Sequence, residues 1–157
     1  MRLNNDRGFT LVELMIVAAA AAVIIGVAVP QIQGSLRATR LESSANLIAY
    51  EIKMARTLAM TRNAVYEVTF DVQNRTIQVT DPADPENPPR TPKRLEPGIR
   101  FGYGPVTPIR FYPRGRADIA SFQLVNDSGD VIYFFIEGSG KVHIGDYYAG
   151  VYQGDYY

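Results

Sequence analysis

The chain has 157 residues, of which 46% are apolar and 20% are charged, and its 16 basic and 16 acidic residues give a formal net charge of zero. This composition is typical of a folded protein with room for one domain and an appendage. The absence of cysteine excludes disulfides and thiolate chemistry, and the single histidine, His143, excludes the usual multi-histidine metal sites. These counts argue against an enzyme.

The N-terminal residues predict a membrane-spanning helix. Residues 9–30 are apolar apart from Thr10 and Glu13, and as a helix they extend roughly 30 Å, the thickness of a hydrocarbon core. The preceding residues 1–8 carry an excess of arginine, which predicts a cytoplasmic N-terminus. A plain membrane anchor explains the apolar run but not Glu13, because a lone charge there costs about 3 kcal/mol and usually has a partner.

The stretch Gly8-Phe9-Thr10-Leu11-Val12-Glu13 resembles the signature of the type IV pilin and type II secretion pseudopilin superfamily. The resemblance implies that residues 1–8 are a leader, that a prepilin peptidase cleaves between Gly8 and Phe9, and that Phe9 is then methylated. It also implies that Glu13 is needed for assembly. In a filament, Glu13 would pair with the Phe9 amine of a neighbouring subunit; in the unassembled subunit it would pair with its own amine or be protonated.

Residues 31–63 predict a second, amphipathic helical half. Apolar residues recur there at spacings of three and four and give the helix one apolar face, which predicts packing on a sheet. The face consists of Leu41, Ala45, Ile48, Ile52, Ala55 and Ala59, and Leu47, Met54 and Leu58 widen it.

Residues 64–157 predict an antiparallel β domain that ends in a tyrosine-rich tail, so the fold class is α+β and pilin-like. Residues 81–89 are rich in proline and predict a loop, whose three acids do not have the spacing of an EF-hand. The tail predicts either a final strand or a segment folded over the domain. Alternation and turn residues predict strands at 65–70, 76–80, 98–101, 109–112, 121–125, 131–137 and 141–144, with hairpin turns at 71–75, 126–130 and 138–140.

The C-terminal half carries a second resemblance. Residues 111–117 (FYPRGRA), followed by a strand and then Gly140-Lys141-Val142, are similar to the pattern of the GspH/FimT branch of this superfamily. That branch contains the minor pseudopilin H of type II secretion and minor pilins of type IV pili. The two resemblances together cover much of the chain.

A basic cluster between residues 90 and 116 is the basis of a second functional hypothesis, DNA binding. Arg110, Arg114 and Arg116 are its candidate contacts, either for an anion such as DNA or for a partner protein. The interpretation we favour is a basic face that is paired with acids, for example those of residues 81–86, or that faces an acidic partner subunit. DNA-binding members of the branch resemble one another in a basic C-terminal tail, whereas the tail here (GDYYAGVYQGDYY) has no Lys or Arg.

The sequence therefore predicts a structural subunit without catalytic residues, metal or cofactor. We expect a minor pseudopilin of the periplasmic pseudopilus of a type II secretion system, with a minor type IV pilin in pilus assembly or DNA uptake as the alternative. Its partners would be other pseudopilins or pilins, the prepilin peptidase and the inner membrane, which it would cross once with its β domain in the periplasm. We also expect the part from Gln31 onward to fold alone and to bind duplex DNA only weakly.

Overall fold

The computed structural model describes residues 10–104, 107–148 and 151–156, and for residues 29–32, 146–148 and 151–156 it describes the backbone only. The chain forms two compact units, Met1–Leu36 and Arg37–Tyr157. One helix is followed by nine strands among the described residues: α1 (Leu11–Arg62), β1 (Tyr66–Asp71), β2 (Thr76–Thr80), β3 (Lys93–Arg94), β4 (Ile99–Phe101), β5 (Ile109–Phe111), β6 (Ala120–Asn126), β7 (Val131–Ile136), β8 (Val142–Tyr148) and β9 (Val151–Tyr156).

The apolar face predicted for the second half of α1 is confirmed. All six residues of the stripe are buried, and Ile48, Ile52, Ala55 and Ala59 have no exposed surface. Burial of the two isoleucine side chains stabilises the fold by about 1.5–3 kcal/mol each. This face belongs to the same core cluster as the strands, so the helix packs on the β domain.

The strands form two antiparallel sheets. The first has the order β3-β2-β1-β5 and the second the order β4-β6-β7-β8-β9. Alternation sets the register of the long β6–β7 hairpin, in which Phe122 faces Phe134 and Leu124 faces Ile132. Phe122, Leu124 and Phe134 are almost completely buried, so one face of the second sheet forms part of the core.

Aromatic side chains connect the two sheets inside the core. The rings of Phe122 and Phe134 stack with centroids 4.5 Å apart. Phe70 of the first sheet meets Phe122 at 5.1 Å and the edge of Phe101 at 5.5 Å. Such contacts add about 0.5–1.5 kcal/mol per pair beyond the burial of apolar area. The two contacts of Phe70 cross from one sheet to the other.

The seven predicted strands and three predicted turns are observed, with small shifts of their ends. In the turn after β6, the Asn126 side-chain oxygen accepts hydrogen bonds from the backbone N–H groups of Ser128 and Asp130, both at 2.9 Å. The proline-rich residues 81–89 form turns without strand structure. Their aspartates bond locally, because Asp81 accepts the Ala83 N–H and Asp84 accepts the Asn87 side-chain amide.

Three features of the strand pattern differ from the predictions or complete them. The two-residue strand β3 was not predicted, and it is too short to show an alternating pattern. Strand β8 extends to Tyr148 rather than ending at residue 144. The tail forms the final strand β9, which pairs with β8 along its length, from His143 opposite Tyr156 to Tyr148 opposite Val151.

A single arginine of α1 joins the helix to two turns of the β domain. The Arg56 guanidinium donates to the backbone carbonyls of Gly115 (3.3 Å) and Ser139 (3.2 Å). The two turns also contact each other directly, since the Ala117 N–H donates to the Gly138 carbonyl at 3.2 Å. The two segments of the second resemblance, residues 111–117 and 140–142, therefore lie beside each other.

Gly140 is required where these turns meet. Its φ of +77° is strained for any other residue, and a Cβ there would lie 2.9 Å from Arg56 Nε and closer still to the Gly115 carbonyl oxygen. Gly129 offers a matched comparison, because its φ is +90° but no atom lies within 4 Å of the added Cβ position.

We expect Gly140→Ala to lower the free energy of unfolding by about 2–4 kcal/mol, and Gly129→Ala by only about 1 kcal/mol, since only the first adds a steric clash to the backbone strain. Urea unfolding of a fragment starting at Gln31, which retains the whole core, measures both. Equal losses would contradict a tight contact between the two turns.

Candidate functional site

The N-terminal motif places Glu13 in a reciprocal cap of its own helix. The Glu13 carboxylate oxygen Oε2 accepts hydrogen bonds from the Thr10 N–H and the Thr10 hydroxyl, both at 2.9 Å. In return the Glu13 N–H donates to the Thr10 hydroxyl oxygen at 3.3 Å. This is a capping box, which satisfies donors at the start of a helix that have no partner within it. The predicted cleavage and methylation residues, Gly8 and Phe9, lie outside the described residues.

The cap was missed in the sequence analysis, which considered only an amine partner or protonation for the unassembled subunit. Its signal was present, because a Thr followed three residues later by a Glu and an apolar run is a recognised helix-start pattern. Glu13 therefore has a partner within its own chain, and its second oxygen, Oε1, accepts no hydrogen bond from any residue that the structure describes.

The first unit exposes an apolar helix surface. Its large apolar side chains are mostly about two-thirds exposed, as for Ile24 at 67% and Leu14 at 66%. Helix α1 is long and apolar enough to cross a membrane by length and composition. A surface of this kind needs lipid or other apolar helices to cover it.

The basic cluster of residues 90–116 separates into paired and unpaired arginines. Arg90 makes a bidentate ion pair with the buried Glu51, at 2.7 and 2.8 Å, and its guanidinium lies 5.3 Å from the Tyr50 ring centroid. Arg110 pairs with Glu67 at 2.7 Å. The bonds to these carboxylates raise the pKa of both arginines.

These partners differ from the example given by the sequence analysis. The acids that neutralise Arg90 and Arg110 come from α1 and β1, not from residues 81–86. Glu51 was not predicted as a functional or structural residue, since nothing in its local sequence distinguishes a buried glutamate from an exposed one. It is 1% exposed, and the Arg90 guanidinium is its counter-ion in this buried position.

Arg114 and Arg116 remain exposed on the turn that follows β5. They line an open pocket of about 580 Å³ together with Asn63, Tyr112, Pro113, Ala117 and Asp118. The Tyr112 hydroxyl donates to the Asp118 carboxylate at 3.1 Å, and this bond raises the pKa of the Tyr112 phenol. The structure thus brings Arg114 and Arg116 together and assigns Arg110 to an ion pair with Glu67 nearby.

His143 lies in β8 and does not complete a catalytic triad. Its Nε2 is 2.7 Å from Glu137 Oε1, and the Ser139 hydroxyl donates to the other oxygen of the same carboxylate at 2.8 Å. The carboxylate lies between the serine and the imidazole, whereas a serine nucleophile needs the imidazole next to its hydroxyl. These bonds lower the pKa of Glu137 and brace the turn between β7 and β8.

Within the described ranges, no three acidic or histidine side chains converge on a point where a metal ion would fit. Asp81, Asp84 and Asp130 instead accept hydrogen bonds within their own turns.

Two sequence families match this chain. The prokaryotic N-terminal methylation motif matches residues 3–29, and the type II transport protein GspH family matches residues 44–140, more than half of the chain. The chain belongs to the GspH family. The match to this family covers Arg56, the turn of residues 112–116 that carries Arg114 and Arg116, and Gly140, and it ends before β8. A search of curated proteins finds no significant relative.

Two solved structures share the fold, and both are of the minor pseudopilin EpsH from the type II secretion system of Vibrio cholerae. One is 15% identical with a TM-score of 0.55, covering 67% of this chain and 95% of that chain. The other is 12% identical with a TM-score of 0.53, covering 69% of this chain and 94% of that chain. At this identity they show the fold alone, and they confirm the predicted pilin-like α+β class.

The two ion pairs of the basic cluster allow a direct test of their energetic roles. Glu51→Gln leaves Arg90, whose side chain is 23% exposed, without its counter-ion, so we expect a loss of about 2–4 kcal/mol in the free energy of unfolding. Glu67→Gln should cost less than about 1 kcal/mol, because Arg110 can be hydrated when the pair is lost.

Urea unfolding of the fragment that starts at Gln31 measures both variants. Equal costs would mean that the Glu51–Arg90 pair contributes no more than a surface pair, and that the proline-rich loop is held by other contacts.

Proposed function

We propose that this GspH-family protein is a minor pseudopilin, a structural subunit of the periplasmic pseudopilus of a type II secretion system. One observation carries the proposal: a helix with an apolar, exposed surface begins at a Thr10–Glu13 cap within a methylation motif, and the same helix continues into the core of a GspH-type β domain. The match to the GspH family supports a structural subunit, and the activity we propose for it is therefore assembly.

In this proposal a prepilin peptidase removes residues 1–8, and the new Phe9 amine is methylated. A secondary amine keeps its positive charge. The protein crosses the inner membrane once, with its N-terminus in the cytoplasm and its β domain in the periplasm, in agreement with the excess of arginine before the apolar run. Exposed apolar side chains of the first unit then pack against the helices of other pseudopilins.

The geometry of the cap supports a role for Glu13 in that packing. Both hydrogen bonds from Thr10 end on Oε2. A carboxylate has acceptor capacity on both oxygens, so Oε1 can accept the methylated amine of a neighbouring subunit without loss of the cap. The cap also fixes the carboxylate at the first turn of the helix, where it complements the positive end of the helix dipole.

A minor type IV pilin is the second candidate, since the methylation motif is common to both filaments and the exposed Arg114 and Arg116 are candidate DNA contacts. Mass spectrometry of the subunits that co-purify with the protein distinguishes the candidates. Secretion-system pseudopilins support the first, and pilus or competence subunits support the second.

The mature protein should begin at N-methylated Phe9. Gly8→Val should block processing, because a branched side chain before the scissile bond crowds the cleavage site. Mass spectrometry of membrane-purified protein checks both. Assembled protein that retains Met1 would contradict the proposal, while Gly26→Val, in the helix with open space around the added side chain, should be processed normally.

Glu13→Gln should leave membrane insertion and cleavage intact and weaken incorporation into the filament complex. Glutamine is also accepted in a capping box, so the helix start is kept while the charge is removed. The neighbouring amine then loses its counter-ion in a low-dielectric environment, and we expect co-purification with partner pseudopilins to fall at least about tenfold.

Glu42→Gln is the matched control, because Glu42 is an exposed glutamate of the same helix and should not affect co-purification. Normal incorporation of processed Glu13→Gln protein would show that the charge pair is not the role of Glu13, and a plain membrane anchor would then be the better interpretation.

A further inference from the structure

Several arginines of the second unit bind groups of their own chain. Arg56 binds two backbone carbonyls, and Arg90 and Arg110 bind carboxylates. Arg114 and Arg116 differ: both are exposed, and over the described parts of the chain neither guanidinium has a hydrogen-bond or ion-pair partner. They are two residues apart on one turn and line the same pocket.

The turn that carries them is rigidly built. The Gly115 N–H donates to the Tyr112 carbonyl and the Tyr112 N–H to the Arg116 carbonyl, both at 2.9 Å. Gly115 has a φ of +78°, and its carbonyl is held by Arg56. The backbone on both sides of the two arginines is therefore fixed before any ligand arrives, which reduces the entropy lost on binding.

Besides the two cations, the pocket is lined by neutral polar side chains and by one carboxylate. Asn63 closes one side at the end of α1, and the Tyr112–Asp118 hydrogen bond lies in the wall. Guanidinium groups bind carboxylates in a bidentate, planar geometry. Two of them in a pocket of about 580 Å³ match a short peptide segment that carries two carboxylates.

We propose that the pocket of Arg114 and Arg116 is a docking site for an acidic segment of a neighbouring filament subunit. The proposal rests on the proposed function for the identity of the partner, but the binding of carboxylates by the pocket does not depend on it. The neighbour's acids would bind Arg114 and Arg116 in the same way that Glu51 binds Arg90 and Glu67 binds Arg110.

Charge favours a protein segment over nucleic acid. Tight binding to a duplex needs several phosphate contacts along a continuous basic track. Here Glu67 neutralises Arg110 next to the pocket, and Asp118 forms part of the pocket wall. Two free guanidinium groups flanked by carboxylates suit a short ligand with local charge and not an extended polyanion.

Fluorescence anisotropy of the full-length protein in a non-ionic detergent tests the site. The probes are a labelled peptide that alternates Glu and Gly, the same peptide with Gln for Glu, and a labelled DNA duplex. We expect the Glu peptide to bind more tightly than the Gln peptide and the duplex. The double variant Arg114→Gln/Arg116→Gln should weaken binding of the Glu peptide at least about tenfold, the size expected for lost charge-assisted hydrogen bonds.

Arg100→Gln is the control, since Arg100 is exposed on β4 and does not line the pocket; it should leave the affinity unchanged. Circular dichroism verifies that each variant is folded. The double charge reversal, Arg114→Glu/Arg116→Glu, should reject the Glu peptide and bind a Lys–Gly peptide in its place.

Equal binding of the Glu and Gln peptides, an unchanged affinity in the double variant, or tighter binding of the duplex through the same arginines would each overturn the proposal. The outcome is separate from the tests of Gly8 and Glu13. If the unchanged protein binds the Glu peptide and the double variant does not, but assembled protein retains Met1, the site is retained and the pseudopilin assignment is rejected. If the mature protein begins at methylated Phe9 but the double variant binds the Glu peptide normally, the site alone is rejected.

Discussion

The burial of one face of α1 is the constraint on which the second unit depends. The helix and both sheets share a single core, and the residues at its centre, such as Ile48 and Ile52, are inaccessible to water. Burial of this helix face therefore ties the strands of the β domain to the second half of α1.

Arginine performs two structural tasks around this core. Arg56 lies at the edge of the helix face and satisfies carbonyls of two turns that no strand satisfies. Arg90 compensates a buried glutamate, which water would otherwise have to solvate. Arg114 and Arg116 do neither among the described residues, although they belong to the turn that Arg56 holds. The structural arginines thus present the unpaired ones in a fixed position.

The sequence was sufficient for the parts of the fold that periodicity controls. The helix stripe and the longer strands repeat a spacing over many residues, so each element has several independent signals. Short or non-local features lacked such a signal. Strand β3 has two residues, and the bonds from Glu51 and Arg56 connect residues 39 to 83 positions apart. Only folding brings these groups together, and their types alone do not identify the partners.

In the candidate sites, too, local features were predictable from the sequence and non-local ones were not. The N-terminal motif is local, so cleavage, methylation and assembly residues were predicted from consecutive letters, and the Thr10–Glu13 cap was equally readable from its spacing. The sequence could not predict that Arg110 is paired while Arg114 and Arg116, among the described residues, are not, because all three lie within seven positions. Strand pairing decides it: Arg110 lies opposite Glu67 in the ladder between β1 and β5, whereas the turn has no strand beside it to supply an acid.

The proposed role of Glu13 combines an internal partner with an external one. A cap contributes about 0.5–2 kcal/mol, which is less than the roughly 3 kcal/mol cost of a charge within a lone membrane helix. The cap therefore lowers the cost of keeping the carboxylate ionised but does not remove it. In the proposed filament, the remaining cost would favour the arrival of a neighbouring subunit's amine. Because Thr10 uses only Oε2, that amine would add to the cap and not compete with it. A carboxylate in the membrane with one unused oxygen would thus favour association over the isolated subunit.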